Sequence, residues 1–375
     1  MLKKYRLRDF DFRLVILVLL ASGISVLSVS SANESYVKTQ IAGIVVGFIV
    51  MIAIALFDYA WVLKFNWMMY IGVLGLLVLT TYSPLGSTSG GAQRWITLGT
   101  IRFQPSELAK IVLILFFAQF IMKNKKTLNK LTTILKACIL FAVPAYLILD
   151  QPDLSTTLVI ATIFCTLLFV GGLSWRYILT VAGVAIPVLA VFVFLAIQPE
   201  ANLLEDHQKE RILAFIAPEE YADSTAYQQN NSVIAIASGQ LLGKGYKNNE
   251  VTSVKNGRYI LEPHTDFIFA VIGEELGFRG SVFLIAVLFS IVLECLYVAY
   301  KAKDTAGRLI ASGVAAWIGF QTFFNLGVAT FILPNTGLPL PFISYGLTSV
   351  MCLYMAIGFV LNVKLQQRKN GEVFL

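Results

Sequence analysis

The chain has 375 residues, 57% of them hydrophobic and 14% charged, and a mean hydropathy of +0.75. A soluble domain carries about 25% charged residues, so these charges are too few to cover a soluble surface of this size. The net charge of +7 is not a nucleic-acid signature, because the cations are spread through short connections between apolar blocks.

The apolar blocks fall at residues 14–31, 40–57, 65–82, 105–122, 132–149, 154–171, 177–197, 267–300, 307–331 and 344–363. Most are roughly 18 to 22 residues long, enough to cross a hydrocarbon core of about 30 Å. Backbone inside lipid must satisfy its own hydrogen bonds, so the blocks are expected to be helices. They are continuous rather than alternating, which argues against a β-barrel. The expected fold is an all-α integral membrane protein of about ten transmembrane helices, a single polytopic membrane domain over 1–375. A large loop, 198–266, joins helices 7 and 8. The first block lacks a small-residue cleavage site and reads as a retained helix. The eighth holds a polar break at Gly273-Glu274-Glu275 and reads as a half-helix followed by a full span. Within the loop, the apolar run Val233-Ile234-Ala235-Ile236, ending at Leu241-Leu242-Gly243, predicts a short amphipathic helix at the membrane surface.

Sidedness follows from lysine and arginine. Lys3, Lys4, Arg6, Arg8, Arg13, Lys64, Lys123, Lys125, Lys126, Lys130, Lys136, Arg176, Lys301, Lys303, Arg308, Lys364, Arg368 and Lys369 fall on one set of connections, 18 of 29 cations. The positive-inside rule makes that side, with both termini, cytoplasmic. The other side carries four polar stretches, 83–106, 150–155, 198–266 and 332–345, and is where specific polar work is expected. The four cysteines, Cys138, Cys165, Cys295 and Cys352, lie in separate apolar blocks and read as small buried hydrophobes. His207 and His264 are the only histidines, which excludes a histidine-rich metal centre.

The first polar stretch runs through Gly90-Gly91-Ala92-Gln93-Arg94-Trp95 to Arg102-Phe103-Gln104-Pro105-Ser106-Glu107-Leu108-Ala109-Lys110. Pro105 suits the first turn of a helix. Glu107 and Lys110 then lie one turn apart on one face. They form either a self-neutralising ion pair or part of an anion site with Arg94 and Arg102. In Asp150-Gln151-Pro152-Asp153-Leu154-Ser155, Asp153 is placed to cap the next helix. In Glu262-Pro263-His264-Thr265-Asp266-Phe267, an acid sits where a polar loop meets the membrane. It is either a helix-dipole partner or a general base whose pKa burial would raise. His264 reads as a loop residue. The run 333–346 has three prolines and two glycines, so it cannot be one regular helix. Irregular backbone at membrane depth lines protein or water, and Ser344 there either caps the last span or binds a ligand.

Together these stretches resemble the SEDS family (shape, elongation, division and sporulation), which includes RodA, FtsW and SpoVE. The resemblance rests on Arg94-Trp95, Phe103-Gln104-Pro105-Ser106-Glu107-Leu108-Ala109-Lys110, Gln151-Pro152-Asp153-Leu154, and His264-Thr265-Asp266-Phe267-Ile268-Phe269 with Gly273-Glu274-Glu275-Leu276-Gly277. Gly337-Leu338-Pro339-Leu340-Pro341-Phe342-Ile343-Ser344-Tyr345-Gly346 completes it. Leu347 departs from the family, which usually has a second glycine there, and predicts a stiffened or reshaped start to the last helix.

The resemblance implies a peptidoglycan glycosyltransferase of the bacterial cytoplasmic membrane, serving cell elongation or division, with its active site outside. It would polymerise lipid II into β-1,4 glycan and release undecaprenyl pyrophosphate. Asp266 matches the family's catalytic acid. Arg94, Arg102 and Lys110 are the candidate pyrophosphate cations, Glu107 orients Lys110, and Asp153 and Ser344 complete the candidate substrate-binding set. The implied partners are lipid II, the nascent glycan strand, membrane lipids and a class B penicillin-binding protein, with no nucleic acid. The chemistry admits a divalent cation, magnesium or manganese, although no metal-ligand spacing requires one. The short basic N-terminal segment points to the RodA-like type over FtsW-like or SpoVE-like roles. A lipid II flippase and a recruiting scaffold are the competing readings. Against the flippase, the unusual residues crowd one face instead of marking a midplane route; a scaffold would tolerate Asn at 266.

Overall fold

The computed structural model describes residues 10–84, 86–89, 92–98, 101–177, 206–221, 226–247 and 262–367, with single residues and pairs between 179 and 191 and between 253 and 260. The protein is a predominantly helical membrane protein. Its helices are α1 (Phe12–Ala32), α2 (Val37–Leu56), α3 (Asn66–Tyr82), α4 (Pro105–Lys123), α5 (Leu131–Leu149), α6 (Leu154–Val170), α7 (Asp206–Ile216), α8 (Tyr227–Ser238), α9 (Ile268–Tyr300), α10 (Thr305–Ala329) and α11 (Leu347–Leu365). Among the described residues, eight helical segments are long and apolar enough to cross a membrane, and α6 is a shorter apolar helix. The expected seventh span, 177–197, lies largely outside the described residues, as do Gly90 and Gly91.

Three spans form the centre of the bundle. α4, α11 and α10 are 78%, 72% and 67% buried over their apolar windows, against 28% for α2, α5 and the span that includes α3. The outer helices show large apolar side chains such as Ile49, Met68 and Ile139 on their open faces, as a lipid-facing surface requires. Cys295 and Cys352 are buried as small hydrophobes, whereas Cys138 and Cys165 stand exposed on helix faces. α2 packs closely on α11 through small residues. A Cβ on Gly47 would lie 3.0 Å from Tyr354, and one on Gly43 would lie 2.9 Å from Leu347 Cδ1. Leu347 therefore opens α11 with its side chain laid over a glycine of α2, which accommodates the departure from the family pattern.

α9 is broken as expected, but at Gly277, where the backbone turns to φ 64 and ψ −162. A broken span leaves backbone groups without partners in a medium that cannot solvate them. The segment after α8 supplies those partners. Phe278 and Arg279 donate to the carbonyls of Gln240 and Leu241 at 2.8 and 3.3 Å, and Lys244 and Gly245 donate to Glu274 and Glu275 at 2.9 and 3.0 Å. The approach is backbone on backbone: a Cβ on Gly243 would stand 2.1 Å from the Glu275 carbonyl oxygen.

The described parts of the polar stretches meet at one end of the bundle. A three-stranded antiparallel sheet, which the sequence reading did not anticipate, fills 86–103: β1 (Gly86–Ser89), β2 (Ala92–Leu98) and β3 (Ile101–Phe103) in that order. β2 carries Arg94 and β3 carries Arg102, with Thr97 opposite Arg102 in the register. Thr348 at the start of α11 donates to the Arg102 carbonyl at 3.1 Å and so seats the sheet on the bundle.

Candidate active site

Asp266 lies in the turn just ahead of α9, partly open to solvent. The backbone around it is held from two sides. Ser344 Oγ donates to the Thr265 carbonyl at 2.6 Å and accepts from Leu340 N at 2.8 Å, and Tyr345 N donates to the His264 carbonyl at 2.9 Å. The Ser344 hydroxyl thus serves the loop's own backbone. It does not cap α11, whose N-cap residue is Gly346 and which has no side-chain cap. His264 is buried in a stack with Tyr36, ring centroids 4.4 Å apart, and Tyr36 packs on Tyr345 at the same distance.

The Asp266 carboxyl sits under Gly337, whose φ of +68 belongs to the left-handed region. A Cβ there would lie 3.3 Å from Asp266 Oδ2 and 3.9 Å from Arg211 Nη1. Asp266, Arg211 and the 333–345 loop therefore converge on one point. Burial pushes the Asp266 pKa up to about 6, with Glu262 and Asp153 pushing the same way and Arg211 and Arg94 opposing them. Burial and the neighbouring Arg94 press the Arg211 pKa down, while Asp266 and Asp153 hold it up. Two cations, Arg211 and Arg94, and three acids, Asp266, Asp153 and Glu262, thus share one field, with Asp266 poised near neutrality, as a general base requires.

Arg94 reaches from β2 to the turn between α5 and α6. Its Nε donates to the Gln151 carbonyl at 3.2 Å, its Nη2 donates to the Pro152 carbonyl, and its Nη1 lies 3.9 Å from Asp153 Oδ1. Asp153 caps α6 by accepting from Thr156 N at 3.1 Å; its other oxygen is buried without a hydrogen-bond partner among the described residues. Ser155 donates to the Thr336 carbonyl, which ties this turn to the loop over Asp266.

Glu107 and Lys110 stand apart from this group. Both are buried in α4, with Lys110 Nζ 2.6 Å from Glu107 Oε1, 3.0 Å from Gln321 Oε1 and 5.1 Å from the Trp317 ring centre. Burial of an ammonium is tolerable only with such compensation. Arg102 is exposed on β3, in the electrostatic neighbourhood of Tyr345. Of the sequence candidates, the structure gathers Asp266, Arg94 and Asp153, sets Ser344 behind them, and leaves Glu107, Lys110 and Arg102 in separate surroundings.

Arg211 and Gly337 were not singled out as site residues. Arg211 sits in a long loop whose cations carry little topological weight, and only the return of α7 to the bundle brings it beside Asp266. Gly337 was visible as a helix breaker, without the contact that its missing Cβ permits.

Comparison with known proteins identifies the chain's family and its fold relatives. Residues 10–369 match the FtsW/RodA/SpoVE family model, described as a cell cycle protein. The chain is 33% identical to the peptidoglycan glycosyltransferase MrdB of Escherichia coli K12 over 356 residues, 95% of this chain and 93% of that one. It is 34% identical to the probable peptidoglycan glycosyltransferase FtsW of Geobacter sulfurreducens over 349 residues, 92% and 90% of the two chains. Its fold is similar to a chain from a structure described as the structural coordination of polymerization and crosslinking by a peptidoglycan synthase complex. That match has a TM-score of 0.77 and 29% identity, covering 95% of this chain and 97% of that one. It is also similar to the crystal structure of the rod shape determining protein RodA of Thermus thermophilus, with a TM-score of 0.71, 26% identity and coverage of 96% and 98%. The chain belongs to the FtsW/RodA/SpoVE family, the SEDS family of membrane proteins.

Proposed function

We propose that this protein is a peptidoglycan glycosyltransferase that polymerises lipid II, with Asp266 as general base. The observation that carries the reading is an acid with a pKa near 6 at the membrane edge, beside Arg211 and Arg94 and beneath the side-chain-free Gly337. A sugar hydroxyl attacks the anomeric carbon of a carrier-linked chain. The new carbon–oxygen bond forms as the bond to the pyrophosphate oxygen breaks, and Asp266 takes the hydroxyl proton. Arg211 and Arg94 meet the charge that builds on the departing pyrophosphate, since preorganised cations are worth most where charge develops. Gly337 leaves room for the sugar to approach the acid.

The polar site faces away from the cytoplasm, because the short basic connections lie at the other end of the bundle. On this reading the membrane is the bacterial inner membrane and both termini are cytoplasmic. A class B penicillin-binding protein is the proposed partner, supported by the similarity to a chain of a synthase complex that couples polymerization to crosslinking. Among the described residues, no three His, Cys, Asp or Glu side chains gather as a metal-ligand set. A divalent cation at the pyrophosphate would take most of its ligands from the substrate, and no step is assigned to it.

The test is to reconstitute the purified protein in vesicles with labelled lipid II, with and without the transpeptidase. A ladder of glycan polymer on a gel is expected. Transfer of lipid II across the bilayer without polymer would favour the flippase.

A further inference from the structure

Two amides on α10 join the acid to the loop above it. Asn325 is buried, and its Nδ2 donates to the Asp266 carbonyl at 2.7 Å and to the Leu338 carbonyl at 2.7 Å. Both partners are acceptors, so the nitrogen and not the oxygen of the amide must face them. One turn earlier, Gln321 Nε2 donates to the Pro339 carbonyl at 2.8 Å, while its Oε1 accepts from Lys110 Nζ and from Trp317 Nε1 at 3.0 and 2.8 Å. Residues 334–340 have no regular secondary structure, so their buried carbonyls depend on side chains for partners. The Asn325 oxygen is itself buried without a hydrogen-bond partner among the described residues. An amide that leaves its own acceptor unmet is a poor choice for stability alone.

We propose that Asn325 is a positioning residue: by bridging the carbonyls of Asp266 and Leu338, it sets the distance between the acid and Gly337 and aims the carboxyl at the attacking hydroxyl. Gln321 extends the same hold to the buried Lys110–Glu107 pair. Lys110 and Glu107 then act on the reaction through the backbone of Pro339, without touching the acid. The proposal rests on the reading of Asp266 as the base. A displacement of about 1 Å at a reacting group costs about a hundredfold in rate, so a clamp between two loop segments is a sufficient lever.

The experiment compares wild type, Asn325→Ala, Asp266→Asn and the double variant in proteoliposomes with labelled lipid II, measuring kcat, KM, the pH profile and thermal stability. Asn325→Ala is expected to lower kcat by about ten- to a hundredfold, with KM changed by less than about threefold, and to move the acid limb of the pH profile. It should remove nothing further when Asp266 is already Asn. If the alanine variant does not fold, Asn325→Ser, which keeps one donor, carries the same measurements. Wild-type kcat and pH profile in Asn325→Ala, with Asp266→Asn inactive, would overturn the clamp and leave the base standing. An unmoved pH profile, with a kcat loss that tracks a fall in melting temperature, would also overturn it. Full activity of Asp266→Asn would remove base and clamp together.

Discussion

Gly337 stands over Asp266 so closely that a Cβ at 337 would lie 3.3 Å from Oδ2 of the acid. The position also needs φ of +68, a region that costs an L side chain roughly 1–2 kcal/mol. Gly337→Ala is therefore expected to insert in the membrane with modestly lower melting temperature and to lose about tenfold or more in polymerisation rate. Rate per folded molecule, measured beside a thermal melt, checks this. A control is Gly72→Ala, where a Cβ meets nothing within 4 Å and no change is expected.

The pH dependence follows from Asp266, whose pKa is raised from 3.8 to about 6. The base must be ionised, so the rate should fall as pH drops through about 6, to about a tenth of its plateau one unit lower. Stability runs the other way. A carboxyl whose folded pKa is raised contributes stability that is fully present below its unfolded value and lost as pH rises through about 6. At pH 7.5 the ionised acid therefore burdens the fold. Asp266→Asn should melt higher than wild type at pH 7.5, and the gap should close as pH falls towards 4.

Arg211 lowers the Asp266 pKa that burial raises. Removing it should move the acid limb of the pH profile upward as well as slow the reaction. Arg211→Ala is expected to show both effects. Arg211→Lys should keep the pH profile nearer wild type and recover only part of the rate, because a point charge lacks the planar fork that grips phosphate oxygens. The pH–rate profiles of the three proteins settle the matter.

The Lys110–Glu107 pair is buried, with 2.6 Å between its charged atoms. Breaking one partner leaves an uncompensated buried charge, a loss of about 3–5 kcal/mol. Lys110→Met alone should lower the yield of folded protein and the melting temperature sharply. Lys110→Met with Glu107→Leu should recover most of the stability, yet not the rate if Gln321 needs Lys110 to hold Pro339. A thermal melt and a polymerisation assay on the single and double variants separate the two roles.

Much of the fold was legible in the sequence because crossing a bilayer imposes length and hydrophobicity on each span. The expected 65–82 and 132–149 became α3 (Asn66–Tyr82) and α5 (Leu131–Leu149). The break in the eighth block was visible as polar residues, yet its position at Gly277 depended on which backbone groups Gln240–Gly245 could satisfy across a long stretch of sequence. The sheet at 86–103 was missed because its strands are short and held by their seat on α11. Asp266 and Arg94 stood out as charges near a membrane edge. Arg211, Asn325 and Gln321 did not, because an arginine in a loop and amides within a span acquire their meaning only from the carbonyls and carboxylates that the fold brings to them. Lys110 was legible as an unusual charge, whereas its distance from the acid was not.

The measurement that bears most directly on the central claim is polymerisation of labelled lipid II by purified wild type and Asp266→Asn, with folding and partner binding checked in both. The account predicts glycan polymer from wild type alone, with the variant folded, thermally more stable at neutral pH and still binding its transpeptidase. Equal polymer from both proteins would contradict it, because the acid beneath Gly337 would then not be the base.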